Sequence, residues 1–167
     1  GAIITSRSKR SLSDDDASLS CAPRDSFLPI DFTEAVLVRS NLGGQGGRCV
    51  IAGRCEELQT AENFATIPQE LLFRLALGGT SMSDRDELWL RVTNESEYRA
   101  WNAENNGLVQ KDNGTFGVMN LLGPRTDDVA ATFLQLRFSF HDSSTGAPLT
   151  VGRTHMTFYD FDDTRFG

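Results

Sequence analysis

The run YDFDDTR near the C-terminal end gathers three carboxylates within a strand-like stretch. Drawn out as a strand, it puts Asp160 and Asp162 on one face, with Asp163 beside them. Hard cations such as calcium take clustered carboxylates together with backbone carbonyls, so these three aspartates are the candidate metal ligands. EF-hand spacing is absent. Arg153 and Arg165 are near enough in sequence to pair with the same carboxylates, so an ion-paired or solvated strand edge competes with calcium. Two carboxylates across a cleft could also hydrolyse a glycosidic bond, but spacing alone supplies no cleft.

Nucleophilic chemistry finds less. The chain has no G-x-S-x-G elbow, and a Ser–His triad could recruit only His141 or His155, each in a strand-like stretch where it serves one face. GGQGG at 43–47 resembles a phosphate cradle but lacks the Gly-Lys-Ser/Thr ending and the GxGxxG spacing; a flexible loop between strands is expected. Cys21, Cys49 and Cys55 lack the paired spacing and nearby histidines of a zinc site. They are disulfide candidates with one thiol left over. Cys49–Cys55 would close a short loop, whereas Cys21 with either partner would staple the N-terminal segment to the body. Two sequons, Asn94 in NES and Asn113 in NGT, are candidate N-glycosylation sites. Asn113 lies in the turn signal QKDNGTFG; Asn94 ends a strand pattern and would serve equally as a cap or turn residue.

The elements that must carry these residues are strands. In TFLQLRFSFHD, Leu134, Leu136, Phe138 and Phe140 fall on one face, and Phe133, Gln135, Arg137, Ser139 and His141 on the other. ELWLRVTN repeats the alternation with Leu88, Leu90 and Val92 inward. DFTEAVLVRS, TFGVMNLLG and PLTVGRTHMTFYDFD are further strands, rich in β-branched and aromatic residues. Turn clusters separate them: NLGGQGG, LGGTSMSDRD, AENNG, KDNG, LGPRTDD and DSSTGAP. EELQTAENFA and SEYRAWNAE can each form a short helical turn. The pattern implies an all-β fold, an antiparallel β-sandwich or jelly roll, over residues 26–167.

Residues 1–25 differ in composition. A small apolar head, Ala2, Ile3 and Ile4, precedes a basic patch (Arg7, Lys9, Arg10) and an acidic triplet at Asp14 to Asp16. RSKR at 7–10 resembles a dibasic processing site, but a solvated basic patch accounts for it. Such an arm cannot repay the entropy of being fixed unless it borrows a surface. A β-branched head on a polar tether suits donor-strand addition to an open sheet, and residues 5–20 span roughly 50 Å when extended. That reach fits a neighbouring subunit. Ala2, Ile3 and Ile4 are therefore the candidate assembly residues, and an arm passed from each copy to the next builds a non-closing polymer.

The bulk properties fit this reading. With 167 residues and 39% hydrophobic content, one domain with a substantial core is expected. A net charge of −7 argues against nucleic acid, and no apolar run approaches the roughly 18 residues of a membrane span. The chain opens without a secretory leader, as a cytosolic or already processed chain would; the cysteines and sequons tilt the expectation toward secretion.

NLGGQGGRC, RVTNESEYRAWNAENNG, GTFGVMNLLGPR, TFLQLRFSFHD and TFYDFDDTR together resemble a family of poorly characterised β-rich domains from secreted or organellar proteins of unicellular algae. The similarity spans about residues 30–165 and excludes the arm. It implies a β-sandwich in an algal, extracellular or organellar setting, and it carries no catalytic residue. The expectation is thus a non-enzymatic structural protomer that assembles head to tail into an extracellular filament by strand donation, with copies of itself as partners. The alternatives are an accessory subunit of a larger complex, such as a chloroplast-lumen protein on a photosynthetic assembly, and a calcium- or glycan-binding module. A hydrolase with an unrecognised site ranks last.

Overall fold

The computed structural model describes residues 2–5, 30–47, 51, 53–55, 65–77, 87–111, 114–122, 134–151 and 154–159, with backbone only for 2–5, 31, 77 and 159. The strands are β1 (Ala2–Thr5), β2 (Ile30–Ser40), β3 (Leu71–Leu77), β4 (Glu87–Asn94), β5 (Gly107–Lys111), β6 (Gly114–Met119), β7 (Leu136–Asp142), β8 (Pro148–Leu149) and β9 (Thr157–Tyr159). They form a four-stranded sheet in the order β5-β6-β1-β9 and a five-stranded sheet in the order β2-β3-β4-β7-β8. Every neighbouring pair is antiparallel. The described residues contain no α-helix.

The core follows from the inward faces. Leu88, Leu90 and Val92 of β4 are fully buried, as their alternation implies, and pack with Leu71, Phe73 and Leu75 of β3. Leu134, Leu136, Phe138 and Phe140 lie against the same cluster. The four-stranded sheet contributes Leu108 and Met119. Gly117 of β6 brings the sheets close: a Cβ there would sit 3.2 Å from Phe32 and 3.3 Å from Phe73. Phe138 of β7 meets Phe158 of β9 edge to face, with ring centroids 5.7 Å apart.

Three expectations change. LLFRLAL was not among the expected strands, yet it forms β3, paired on both sides. Its near-continuous apolar run comes from burial on both faces, Leu72 and Ala76 included, which erases the period-two signal. SEYRAWNAE is irregular for most of its length, and its short helical turn is confined to a 3-10 turn at Ala103–Asn105. PLTVGRTHMTFYDFD is split into β8 and β9, which belong to different sheets. EELQTAENFA lies almost wholly outside the described residues.

Candidate functional site

The apolar head of the arm becomes β1, and β1 is an interior strand. Ala2, Ile3 and Ile4 stand opposite Met119, Val118 and Gly117 of β6. On the other side, Ile3, Ile4 and Thr5 stand opposite Tyr159, Phe158 and Thr157 of β9. The arm has two courses, a return to its own body and a reach to a neighbouring subunit, and a single chain takes the first. In a single chain it lies in its own sheet, so Ala2–Thr5 belong to the folded body. The physical reason is the groove: without β1, facing edges of β6 and β9 would leave their N–H and C=O groups unpaired, a state sheets avoid. A tethered strand meets that groove at high effective concentration. The basic patch, RSKR and the acidic triplet lie outside the described residues.

GGQGG, expected as a flexible loop, is instead a fixed hub. Gly43 and Gly44 have φ of +64° and +71°, backbone that L side chains rarely adopt. A Cβ on Gly43 would meet Tyr98 Cδ1 at 2.7 Å. Buried Asn41 donates from Nδ2 to the carbonyls of Ile67 and Pro68, and its Oδ1 accepts from Gly46 N at 3.0 Å. Gln45 donates to Tyr98 O and accepts from Ala100 N at 3.1 Å. Tyr98 shares its hydroxyl proton between Asn120 O at 2.6 Å and Asn106 Oδ1 at 2.9 Å. Burial pushes the Tyr98 phenol up to about 12, with the Asn106 bond opposing.

Asn94 belongs to this hub. Its Oδ1 accepts from Gly43 N at 3.1 Å and its Nδ2 donates to Ser96 O at 2.9 Å. Its side chain therefore does the work of the turn residue that its position at a strand end allowed. Asn113, the other sequon, lies outside the described residues, as do Cys21 and Cys49. Cys55 is described: it stands beside Leu37 in a parallel bridge, next to Arg54, whose carbonyl accepts from Leu37 N at 2.8 Å. The chain at 54–55 thus covers part of the free edge of β2.

His141 lies on the face of β7 that the alternation assigned it, but it is only 8% exposed. Its Nδ1 is 3.1 Å from Gly146 O, which can only accept, so Nδ1 carries the proton. In the neutral ring, Nε2 then accepts from the Ser139 hydroxyl at 3.0 Å. A Ser–His hydrogen bond also occurs in catalytic triads, but here a backbone carbonyl, Gly146 O, stands at Nδ1 where a triad has its carboxylate. The cation opposite Ser139 in the register, Arg91, is engaged elsewhere: its Nε lies 2.7 Å from Oε2 of Glu70. Glu70, 3% exposed, also pairs with Arg39, forming a clamp across β2, β3 and β4 that the spacing of these residues did not reveal. His155 is exposed, two residues before β9.

At the β7–β8 turn, Asp142 Oδ1 accepts from Ser144 and Thr145 through both backbone and hydroxyl groups at 2.6–3.0 Å. These bonds, Ser144 Oγ foremost, hold its carboxyl down to about 2. Asp160, Asp162 and Asp163 lie outside the described residues, among which no three His, Cys, Asp or Glu groups come together as metal ligands. Among the described residues, no helix is long and apolar enough to cross a membrane. No protein-family model, no curated protein and no solved structure matches the chain.

Proposed function

We propose that the chain is a non-enzymatic structural protomer, an extracellular β-sandwich whose copies join head to tail by exchanging β1. The sandwich reading is supported by the approach of Gly117 to Phe32 and Phe73 and by the Phe138–Phe158 contact between sheets. The exchange reading is carried by the interposed place of β1, with antiparallel partners on both sides. A strand from a second copy would make the same backbone bonds in the same groove, so exchange loses no ladder. The intervening stretch, residues 6–29, reaches roughly 80 Å if extended, enough to cross to a neighbour. Each copy both gives a strand and receives one, and a contact that does not close grows into a filament. The algal resemblance, the sequons and the cysteines motivate the extracellular setting; Asn113, calcium at Asp160–Asp163 and a Cys55 disulfide are subsidiary proposals.

The test is assembly as a function of concentration. Light scattering after size exclusion, with negative-stain microscopy, is expected to show polymers of the full chain that grow with concentration. A variant lacking residues 1–5 is expected to stay monomeric. A full chain that is monomeric throughout, or a truncated chain that polymerises as well, overturns the reading.

A further inference from the structure

The loop that carries Trp101 is tied down at almost every position except the indole. Tyr98 O accepts from Gln45, Arg99 O accepts from Leu122 N at 2.9 Å, Ala100 N donates to Gln45 Oε1 at 3.1 Å, and Asn102 N donates to Asn120 Oδ1 at 2.8 Å. Tyr98 itself is buried beneath it. Trp101 stands 65% exposed, the most exposed of the large hydrophobic side chains described. A large aromatic held out of the core by a rigid backbone is pre-organised for a flat partner, since ordering costs have already been met in the free protein.

The neighbours define that partner. Protein-binding hot spots sit within an apolar surround, but along residues 99–105, the loop of Trp101, the other exposed residues are Arg99, Asn102, Glu104 and Asn105. Among the described residues, the other exposed large hydrophobics, Leu149 and Phe158, belong to β8 and β9. An exposed aromatic on a loop that also exposes amide and carboxylate residues suits a ring whose faces are C–H and whose rim is hydroxyl. Charge narrows the class. The Arg99 guanidinium already pairs with Glu97 at 2.8 Å, Glu104 adds a negative charge, and the whole chain carries −7. Acidic sugars are repelled.

We propose that Trp101 is the stacking platform of a carbohydrate site that takes an uncharged pyranose ring, with Asn102 and Glu104 meeting its hydroxyls. The site is separate from the β1 groove, and its test reads binding rather than assembly. The full chain with Trp89→Phe keeps Trp101 as its single indole emitter. It is titrated with neutral α- and β-linked hexose and N-acetylhexosamine hexamers, with sulfated and uronic-acid oligosaccharides and a dodecyl detergent alongside. A blue shift of emission with at least one neutral hexamer is expected. In the otherwise unchanged chain, Trp101→Ala should weaken retention of that hexamer on an immobilised-glycan column about tenfold or more, the loss of one aromatic stacking partner, with an unchanged far-ultraviolet spectrum. Binding of no neutral hexamer, equal retention by Trp101→Ala, or a response confined to the charged sugars or the detergent overturns the proposal.

Discussion

Tyr98 joins the hub loop to the Asn106 and Asn120 carbonyl groups, and its ionisation reports whether that joint is closed. An unfolded tyrosine ionises near 10, whereas burial holds this one to about 12. Above pH 10 the unfolded chain therefore sheds a proton that the folded chain keeps. The stabilisation is full below pH 10 and is lost as pH rises toward 12. Tyr98→Phe removes both hydroxyl contacts, which lie at 2.6 and 2.9 Å, and should cost about 1–2 kcal/mol in urea unfolding at pH 8. It should also remove this titration, so the gap between wild type and variant narrows at pH 11. A constant gap would show that the phenol is not held in its neutral form. Trp101, three residues on, shows the opposite: a side chain left in water on a backbone hydrogen-bonded at Arg99, Ala100 and Asn102. Its place in a polar, Asn-rich run was visible in the chain, but its exposure was not, because the hydrogen bonds fixing the loop come from Gln45 and Asn120.

Among the elements, β4 was legible because its burial alternates, with Leu88, Leu90 and Val92 inward; β7 was legible from its alternating apolar residues, although His141 on its polar face is buried deeper than Leu136, Phe138 and Phe140. β3 was not, since both its faces are covered, and β8 and β9 were merged because a continuous β-rich composition joins them. The junction between sheets is most sensitive at β6. Gly117 leaves no room for side-chain bulk beside Phe32 and Phe73, whose rings sit 5.5 Å apart edge to face. Gly117→Val should lower the stability measured by urea unfolding by about 2 kcal/mol, the usual cost of overpacking. Val118→Thr, at the next position on the opposite face of β6, should change it much less. Equal effects would mean that the close approach of the sheets is not what requires glycine. Gly117 is also the register partner of Ile4, so the same position bears on the strand that carries the assembly proposal.

For the whole molecule, the choice is whether β1 fills its own groove or a neighbour's. Ile3 stands opposite Val118, so cysteines at these two positions can trap either state. Oxidation of Ile3→Cys/Val118→Cys, compared with each single variant, is expected to give a ladder of covalent oligomers from concentrated protein on a non-reducing gel. From dilute protein it should give a cross-linked monomer, because intramolecular closure does not depend on concentration. A cross-linked monomer at every concentration would mean that β1 never leaves home, and the protomer would be a self-contained β fold. The groove makes both outcomes physically sound, since the same backbone bonds form in each.

The amino-acid order alone determined the all-β character, the inward faces of β4 and β7, the turns, and the strand-forming head of an otherwise polar arm, because these depend on local alternation and local turn chemistry. Only tertiary structure decided where that head goes, why GGQGG is rigid, why Asn94 is committed to a loop and why Glu70 is buried between two arginines. Each of those depends on partners distant in sequence, brought together by sheet pairing, and no local spacing records them.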